Sequence, residues 1–543
     1  MPHASHSRTL ALVLFAACCP PAFAEATDTR TTITGVVYLD KNANSRRDAG
    51  EPGLPGVRVS NGVDVVLTDA HGRYELPIDP SGRAILHVVK PRGYMTRLDR
   101  LNMPRSYHIH DPAGSPDHLD YPGIEPTGPL PESIDFPLYA HDEPDAFTVV
   151  TIADPQPYTI EEVGFYARDT IAELVGIEAA FAVVLGDLVG DDLDLFGPLN
   201  EVQSAVGIPF YNVHGNHDIN FKAEDDTHAA DTHIRTYGPT DFAFQWGSVH
   251  FIALDNVIWQ GWRGYRDDGR KITNNYRGGL HDHQIEFVRN YAATVPQDEM
   301  IVVMTHIPLS PMVGDSVQHS TPERGRLFEA LSNHPRTLSL SGHTHINAHA
   351  FFGSDDGYTA GTLHHHYNAV TASGSWYRGS LDEYGLPHAM MRDGAPNGYA
   401  FIDFDGTDYT IRFKASRRPA DFQMTIHTPD RVTAAELREG VEIVANVFNA
   451  TENCTVELVI DGRSGVIAMD RQQGRRDPFF LAARERDRDP NTGGRGLPNP
   501  VASPHLYSAQ LPADLQPGVH RLRIRWEDMF GASHGGVHVL VVR

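Results

Sequence analysis

The sequence predicts an α/β domain set between two all-β domains, and three observations support this. The chain has 543 residues, more than a single core usually serves. Apolar strand-like runs alternate with amphipathic helical runs through its middle. Both flanks are filled by short strand-like runs broken by Gly, Pro and Asn/Asp turns. A content of 41 % hydrophobic and 21 % charged residues is that of an ordinary globular chain.

The chain opens with Arg8, an apolar run over 10–17 and then Ala22-Phe23-Ala24, the order of a charged region, a hydrophobic region and an A-x-A cleavage site. Residues 1–24 are therefore expected to be a signal peptide, and the mature chain to begin near Glu25 in the periplasm or outside the cell. Lipidation at Cys18 or Cys19 is the competing reading, but Phe15-Ala16-Ala17-Cys18 makes a poor acceptor site. Cleavage removes two of the three cysteines and leaves Cys454, so no internal disulfide is expected. Cys454 lies in a strand-like run, where a small hydrophobe fits better than a nucleophile. No later run reaches the roughly 20 apolar residues of a membrane span. The formal charge of −25 disfavours nucleic acid as a partner.

Residues 25–140 read as a β-sandwich with strands at 33–39, 57–59 and 84–89. A polar, Pro-rich stretch over 111–131 is expected to drape over the surface or to form the approach to the next domain. Asp40, Asn42, Asn44, Asp48 and Glu51 place oxygen donors at a spacing that suits calcium. A plain polar turn is the alternative, because Ser45 stands where a sharp-turn Gly is expected.

The α/β domain is expected over residues 145–418. Its strands fall at 147–153, 181–185, 209–213, 250–254, 300–305 and 337–340, with helices at 161–176, 193–206, 283–295 and 323–333. Strands at 399–404 and 409–414 complete it. Five loops directly after strands carry metal-capable side chains: Asp154-Pro155-Gln156, Gly186-Asp187, Gly215-Asn216-His217-Asp218, Thr305-His306, and Gly342-His343-Thr344-His345. Sites in α/β sheets assemble at the carboxyl ends of strands. A pair of divalent ions needs carboxylate, imidazole and amide donors, one of them bridging, and this set supplies that mixture. Singly, a Gly-Asp is usually a turn and a lone His a structural residue; five in series are not.

This ordered series resembles the calcineurin-like metallophosphoesterases, whose pattern is Asp-x-His, Gly-Asp-x-x, Gly-Asn-His-Asp/Glu, a His, and Gly-His-x-His. The resemblance implies a four-layer α/β/β/α sandwich and two divalent transition metal ions, Mn, Fe or Zn. It assigns Asp154, Gln156, Asp187 and His345 to the first ion, and Asp187, Asn216, His306 and His343 to the second. Gln156 departs from the pattern, which has His there. An amide oxygen is a harder and weaker donor than imidazole, so the first site is expected to hold its ion loosely or to prefer manganese. Two such ions lower the pKa of a bridging water and clamp phosphoryl oxygens for in-line attack by the resulting hydroxide. His217 matches the family's non-ligand histidine, a candidate proton donor or transition-state stabiliser, with Asp218 orienting its ring. Asp218 also suits a cap or turn.

Weaker candidates surround these. His364, His365 and His366 read as structural or solvated-loop residues, with phosphate binding as the alternative. Trp259, Trp262 and Tyr265, and separately Trp376, Tyr377 and Arg378, fit either a cleft wall or core packing. Asp191 reads as an exposed loop carboxylate.

Residues 419–543 read as a second β-sandwich, with strands at 442–448, 456–460 and 520–526 and a long loop over 471–504. Secreted bacterial proteins of the same family, with an amino-terminal β-sandwich and a dedicated carboxy-terminal domain, look much like the whole chain. The expected function is hydrolysis of a phosphate mono- or diester, as a phosphatase or phosphodiesterase acting on a small molecule or the cell envelope. A non-catalytic surface or carbohydrate-binding protein is the rival, and it would be expected to lack Asp187, Asn216 or His217. A secreted nucleotidase is another, without a nucleotide signature in this sequence.

Overall fold

The computed structural model describes residues 31–312, 316–489 and 493–543. The expected signal peptide, with Cys18, Cys19 and the start at Glu25, lies outside these residues.

Alternation of apolar and polar side chains builds the amino-terminal part. The strand Thr31–Leu39 buries Ile33 and Val37, pairs antiparallel with Arg73–Ile78 and runs parallel to Phe136–Ala140. Two four-stranded sheets result, closing over Val37, Val59, Leu76, Leu86 and Leu138, all with no exposed surface. The five residues of the calcium-type spacing come together in the loop after Thr31–Leu39. There the Asn42 and Asn44 amides donate to Asp48, and Glu51 accepts the backbone N–H of Lys41 and Asp48.

Two mixed sheets form the middle. In the first, Ala146–Ile152, Phe181–Val184 and Phe210–Asn212 run parallel, and Gly398–Asp405 and Asp408–Ala415 continue the sheet antiparallel. In the second, Val249–Ala253, Met300–Met304, Thr337–Ser341 and His364–Asn368 run parallel between two antiparallel edge strands, Phe242–Trp246 and Ala348–Phe352. Ala146–Ile152, Phe181–Val184, Val249–Ala253 and Met300–Met304 are mostly apolar because both faces of each sheet are covered, whereas Thr337–Ser341 and His364–Asn368 bury Ser, Thr and His side chains. Phe181, Phe251, Val302, Leu340 and Ile402 share the core between the sheets. Helices Ile160–Tyr166 and Phe196–Ser204 cover the outer face of the first sheet, and Asp282–Ala292 and Arg324–Ala330 that of the second. The architecture is α/β/β/α, as expected. The helix expected at 161–176 is capped by Thr159, which accepts from the Glu162 N–H, and contains a π turn at Ala167–Ile171.

Two more sheets, of four and five strands, close around Ile443, Leu458, Leu522 and Leu540 at the carboxy-terminal end. Cys454 is only half-buried and packs at the margin of this core.

Several details correct the sequence reading. The segment 471–504 is not all loop: Pro478–Arg486 is a helix, with Asp477 accepting from the Phe480 N–H and Pro478 at its first position, where no N–H is needed. His364, His365 and His366 form no solvated loop but lie buried in the strand His364–Asn368. His364 bonds Thr337 and Ser339, and His366 bonds Ser339 and Ser341, a ladder across two strands. The Pro-rich stretch lies against the middle sheets, where Tyr121 donates its hydroxyl to the Asp191 carbonyl and Asp120 pairs with Lys222 and Lys271.

Candidate metal centre

Each of the five loops leaves the carboxyl end of a parallel strand, and the turns are tight enough to need special backbone conformations. Asp154, Gln156, Asp187, His343 and His345 all have positive φ, from 42° to 73°. For residues with a Cβ this costs about 1–2 kcal/mol each, so the surrounding contacts must enforce it. The flanking glycines explain how the loops come so close. A Cβ on Gly186 would stand 2.4 Å from the His306 ring, one on Gly215 2.0 Å from the Asp187 nitrogen, and one on Gly342 2.4 Å from Asp154 Oδ2.

The seven side chains expected as ligands are all buried. His306 Nε2 lies 3.0 Å from Asn216 Oδ1, 3.2 Å from Asp187 Oδ1 and 3.2 Å from His343 Nδ1. The ligand atoms of Asp187, His306 and His343 all fall within 4.8 Å of one another. On the other side, His345 Nε2 lies 3.6 Å from Asp154 Oδ1, and Asp154 accepts the His343 N–H at 2.9 Å. Gln156 joins the centre through its backbone, donating to the Asp187 carbonyl at 3.0 Å.

The donor chemistry fits divalent cations. Each imidazole has its outer nitrogen tied to a backbone carbonyl: His306 Nδ1 to Leu185 at 2.8 Å, His343 Nε2 to Gln318 at 2.8 Å, and His345 Nδ1 to Gly374. A carbonyl only accepts, so each outer nitrogen carries a proton, and whenever a ring is neutral its lone pair faces inward. Gln156 Oε1 is buried with no hydrogen-bond partner, which is costly unless a cation or donor meets it. Burial, with the Asp187 charge beside it, pushes the Asp154 carboxyl up to about 7 against the pull of His306. Burial also works against ionised Asp187, but His306 and His217 outweigh it and hold this carboxyl below the usual range. Burial keeps His343 well below the ordinary imidazole range and brings His345 down to about 4, leaving both neutral. For His306, the Asp187 charge overcomes burial and raises it to about 9.

His217 and Asp218 part company here. His217 Nδ1 lies 2.6 Å from Asp191 Oδ1, not from Asp218, and its Nε2 turns to within 4.0 Å of Asp187 Oδ2. Despite burial, Asp187 and Asp191 push His217 up to about 10. Asp218 instead accepts the backbone N–H groups of Gly215, Leu188 and Val189, which pins the second loop to the third. The carboxylate bonded to the His217 ring is thus that of Asp191, read from the sequence as an exposed loop carboxylate, and not that of Asp218. Asp191 stands four residues after Asp187, and its φ is 75°. Trp376 lies with its ring 4.5 Å from that of His345, and Tyr158 packs edge-on to His217. Tyr158 and His319, which bonds His343 at 2.9 Å, carried no sequence signal. Trp259 is core, between Phe221 and Val257.

Family comparison agrees with the fold and the loops together. The sequence model of the calcineurin-like phosphoesterase matches residues 147–347, a span holding all five loops. The chain belongs to the calcineurin-like phosphoesterases. Models of the N terminal and C terminal of calcineurin-like phosphoesterase match residues 41–123 and 366–534. The last of these begins inside the strand His364–Asn368 and spans the closing strands of the first sheet. As a calcineurin-like phosphoesterase the chain is a metal-dependent phosphoric ester hydrolase. Among solved structures it is similar to PhoD, at 10 % identity and TM-score 0.34, covering 70 % of this chain and 86 % of that one. It is also similar to the purple acid phosphatase PPD1 from yellow lupin (Lupinus luteus) seeds, at 9 % identity and TM-score 0.36, covering 71 % and 88 %. No curated protein matches the chain.

Proposed function

We propose that this calcineurin-like phosphoesterase is a secreted, dinuclear-metal enzyme that hydrolyses a phosphate mono- or diester. The observation carrying this reading is the set of three imidazoles, each with its outer nitrogen bound to a backbone carbonyl, while the inner nitrogen of His306 turns to Asp187 and Asn216, that of His345 to Asp154 and that of His343 to His306. Asp154, Gln156, Asp187 and His345 would hold one ion and Asp187, Asn216, His306 and His343 the other, with Asp187 shared. Manganese suits the oxygen-rich first set best, with iron or zinc as the alternatives. When bound, such a pair supplies Lewis acidity to the phosphoryl group and acidifies water.

The protein's own residues supply the rest. His217, protonated between Asp187 and Asp191, offers the Nε2 proton to the leaving oxygen, while Asp191 holds Nδ1 and fixes the ring. Trp376 packs on the His345 ring and Tyr158 edge-on to His217, which limits the water that reaches those two rings. A leader-like start supports secretion, and among the described residues no helix is long and apolar enough to cross a membrane. The formal charge of −25 favours small or envelope-bound esters over nucleic acid. Calcium in the Asp40–Glu51 loop belongs to the same reading.

The test is hydrolysis of bis(p-nitrophenyl) phosphate and p-nitrophenyl phosphate by the manganese-loaded chain, beside Asp187→Asn. Metal-dependent turnover that disappears in the variant is expected. Stoichiometric metal without turnover of either ester would refute a general esterase.

A further inference from the structure

Several sheet edges in this molecule are protected against further pairing. On the edge strand Asp408–Ala415, the carbonyls of Ile411 and Phe413 accept from the Asn449 and Gln423 side chains. Gln245, on the edge strand Phe242–Trp246, donates its N–H to the Lys90 carbonyl. The edge strand Arg73–Ile78 carries Arg73, Glu75 and Pro77, residue types that discourage the addition of a strand. The last strand of the chain, Ser533–Val542, has no such protection. One side of it pairs along its whole length with Gly518–Glu527, but on the other side Arg431–Val432 covers only Val541 and Val542. Val541 gives its N–H to the Asp430 carbonyl on that second side, so by alternation Ser533, Gly535, Val537 and Val539 turn their backbone groups the same way. Among the described residues nothing pairs with those groups.

The open stretch, Ser-His-Gly-Gly-Val-His-Val over 533–539, holds no Lys, Arg, Asp, Glu or Pro, and Val537 and Val539 are 58 % and 51 % exposed. An uncharged edge with β-branched side chains in the open is a template for another strand. It fits a second copy of itself. Run antiparallel about a twofold axis at Gly536, Ser533 stands opposite Val539 of the copy and Gly535 opposite its Val537. Each valine then meets a small residue, and glycine meets glycine at the axis, where a pair without mutual hydrogen bonds brings the backbones closest. The pairing ends at Val539, just before the place that Asp430 occupies beside the strand. Charge selects the same surface. Two chains of formal charge −25 repel each other, whereas this stretch is neutral and the arginines on the adjoining strand, Arg521, Arg523 and Arg525, are met by Asp461 and Glu457.

We propose that the open edge at 533–539 pairs antiparallel with the same edge of a second copy of this chain, joining two carboxy-terminal sandwiches through one continuous sheet. Such an interface is isologous: the outward N–H and C=O groups of Ser533, Gly535, Val537 and Val539 are satisfied reciprocally across the twofold axis. One strand per chain makes a small contact, so the dimer is weak, with a dissociation constant of about 1–100 µM.

The test is sedimentation velocity of the mature chain, from Glu25 onward, over concentrations of about 1 to 100 µM. A dimer fraction that grows with concentration is expected, and it should grow further with added salt, which screens the repulsion between two acidic chains. Val537→Lys places a charge on each side of the axis, and Val537→Pro removes an outward N–H. Each should weaken the dimer about tenfold or more. The Val537 side chain faces solvent and its N–H bonds nothing within the chain, so the melting temperature of Val537→Lys should match that of the wild type. Val519 is 72 % exposed on the same face of the sheet, but it lies opposite Val541, at the covered end. Val519→Lys should therefore leave the dimer intact. A chain that stays monomeric throughout the range overturns the proposal, as does a dimer that survives both Val537 variants. Equal loss in Val519→Lys and Val537→Lys would mean that the sheets stack face to face, which overturns edge pairing, and a dimer that dissociates with salt would be held by charge and not by this strand.

Discussion

Two carboxylates close to His217 do different jobs, and they can be separated by measurement. The Asp191 carboxylate hydrogen-bonds only the His217 ring and sits partly open to solvent, so Asp191→Asn should leave the melting temperature within about 1 °C. It should cost kcat about 10- to 100-fold with little change in KM, because a proton donor without its orienting acid loses most of its advantage. Asp218 is fully buried and satisfies three backbone N–H groups. Asp218→Ala strands all three and should destabilise the fold by about 3 kcal/mol or more, read by urea unfolding. If instead Asp218→Ala is as stable as wild type and Asp191→Asn unfolds, the assignment is reversed. Gln156 offers another single-residue test. Gln156→His should retain more zinc after dialysis against a chelator, seen in the metal-to-protein ratio, because imidazole is the softer ligand at a position now holding an unpartnered amide oxygen.

At the scale of elements, the strand His364–Asn368 makes a pH-dependent prediction. Burial holds His364 down to about 3, and burial with neighbouring imidazoles holds His365 and His366 well below the ordinary range. The fold therefore keeps these rings neutral, while the unfolded chain takes up protons near pH 6.5. As pH falls below about 6.5 the unfolded state gains protons that the native state refuses, and stability drops until the native pKa values are reached. Each ring contributes about 1.4 kcal/mol per pH unit in that window. Unfolding free energy between pH 7 and 4.5 should fall less steeply in His364→Gln; an equal slope refutes it. Legibility in the sequence follows the same physics. The five loops are readable because each follows a fully buried, mostly apolar or alternating strand and ends it in a polar turn, which bears a Gly in three of the five. Asp218 was preferred to Asp191 because adjacency in sequence was all there was to go on, whereas the turn that folds Gly215 back on Asp218 aims that carboxylate at backbone. The helix Pro478–Arg486 was hidden by weak amphipathicity and Gly/Pro-rich flanks, although Asp477-Pro478 is a good start signal. The histidine run reads in the sequence as structural or as a solvated loop, and what places it in a strand is the alternation that sets His364 and His366 against Thr337, Ser339 and Ser341 on the next strand.

At the scale of the whole molecule, the carboxy-terminal region does more than sit beside the metal centre. The loop that carries His343 and His345 continues into Asn347, whose N–H donates to buried Asp393 at 2.7 Å and whose amide donates to the Phe448 carbonyl. Asp393 also accepts from Ala395 and His505, and His505 bonds Asn446 in the carboxy-terminal sandwich. One fully buried carboxylate thus joins the fifth loop, the segment after it and the last domain. Asp393→Ala removes the acceptor for three donors that water cannot reach, which costs about 3 kcal/mol or more. The damage should not stop at stability. With Asn347 released, the strained backbone at His343 and His345 loses part of what enforces its positive φ, and the ligand geometry relaxes. The variant should therefore bind its metals more weakly than wild type at temperatures where circular dichroism shows it still folded, measured by competition with a chromogenic chelator. Weaker metal binding at 20 °C in a folded Asp393→Ala protein would show that the carboxy-terminal sandwich braces the metal centre. Unchanged binding in a protein that merely melts earlier would mean that this node holds the domains together and leaves His345 to its own loop.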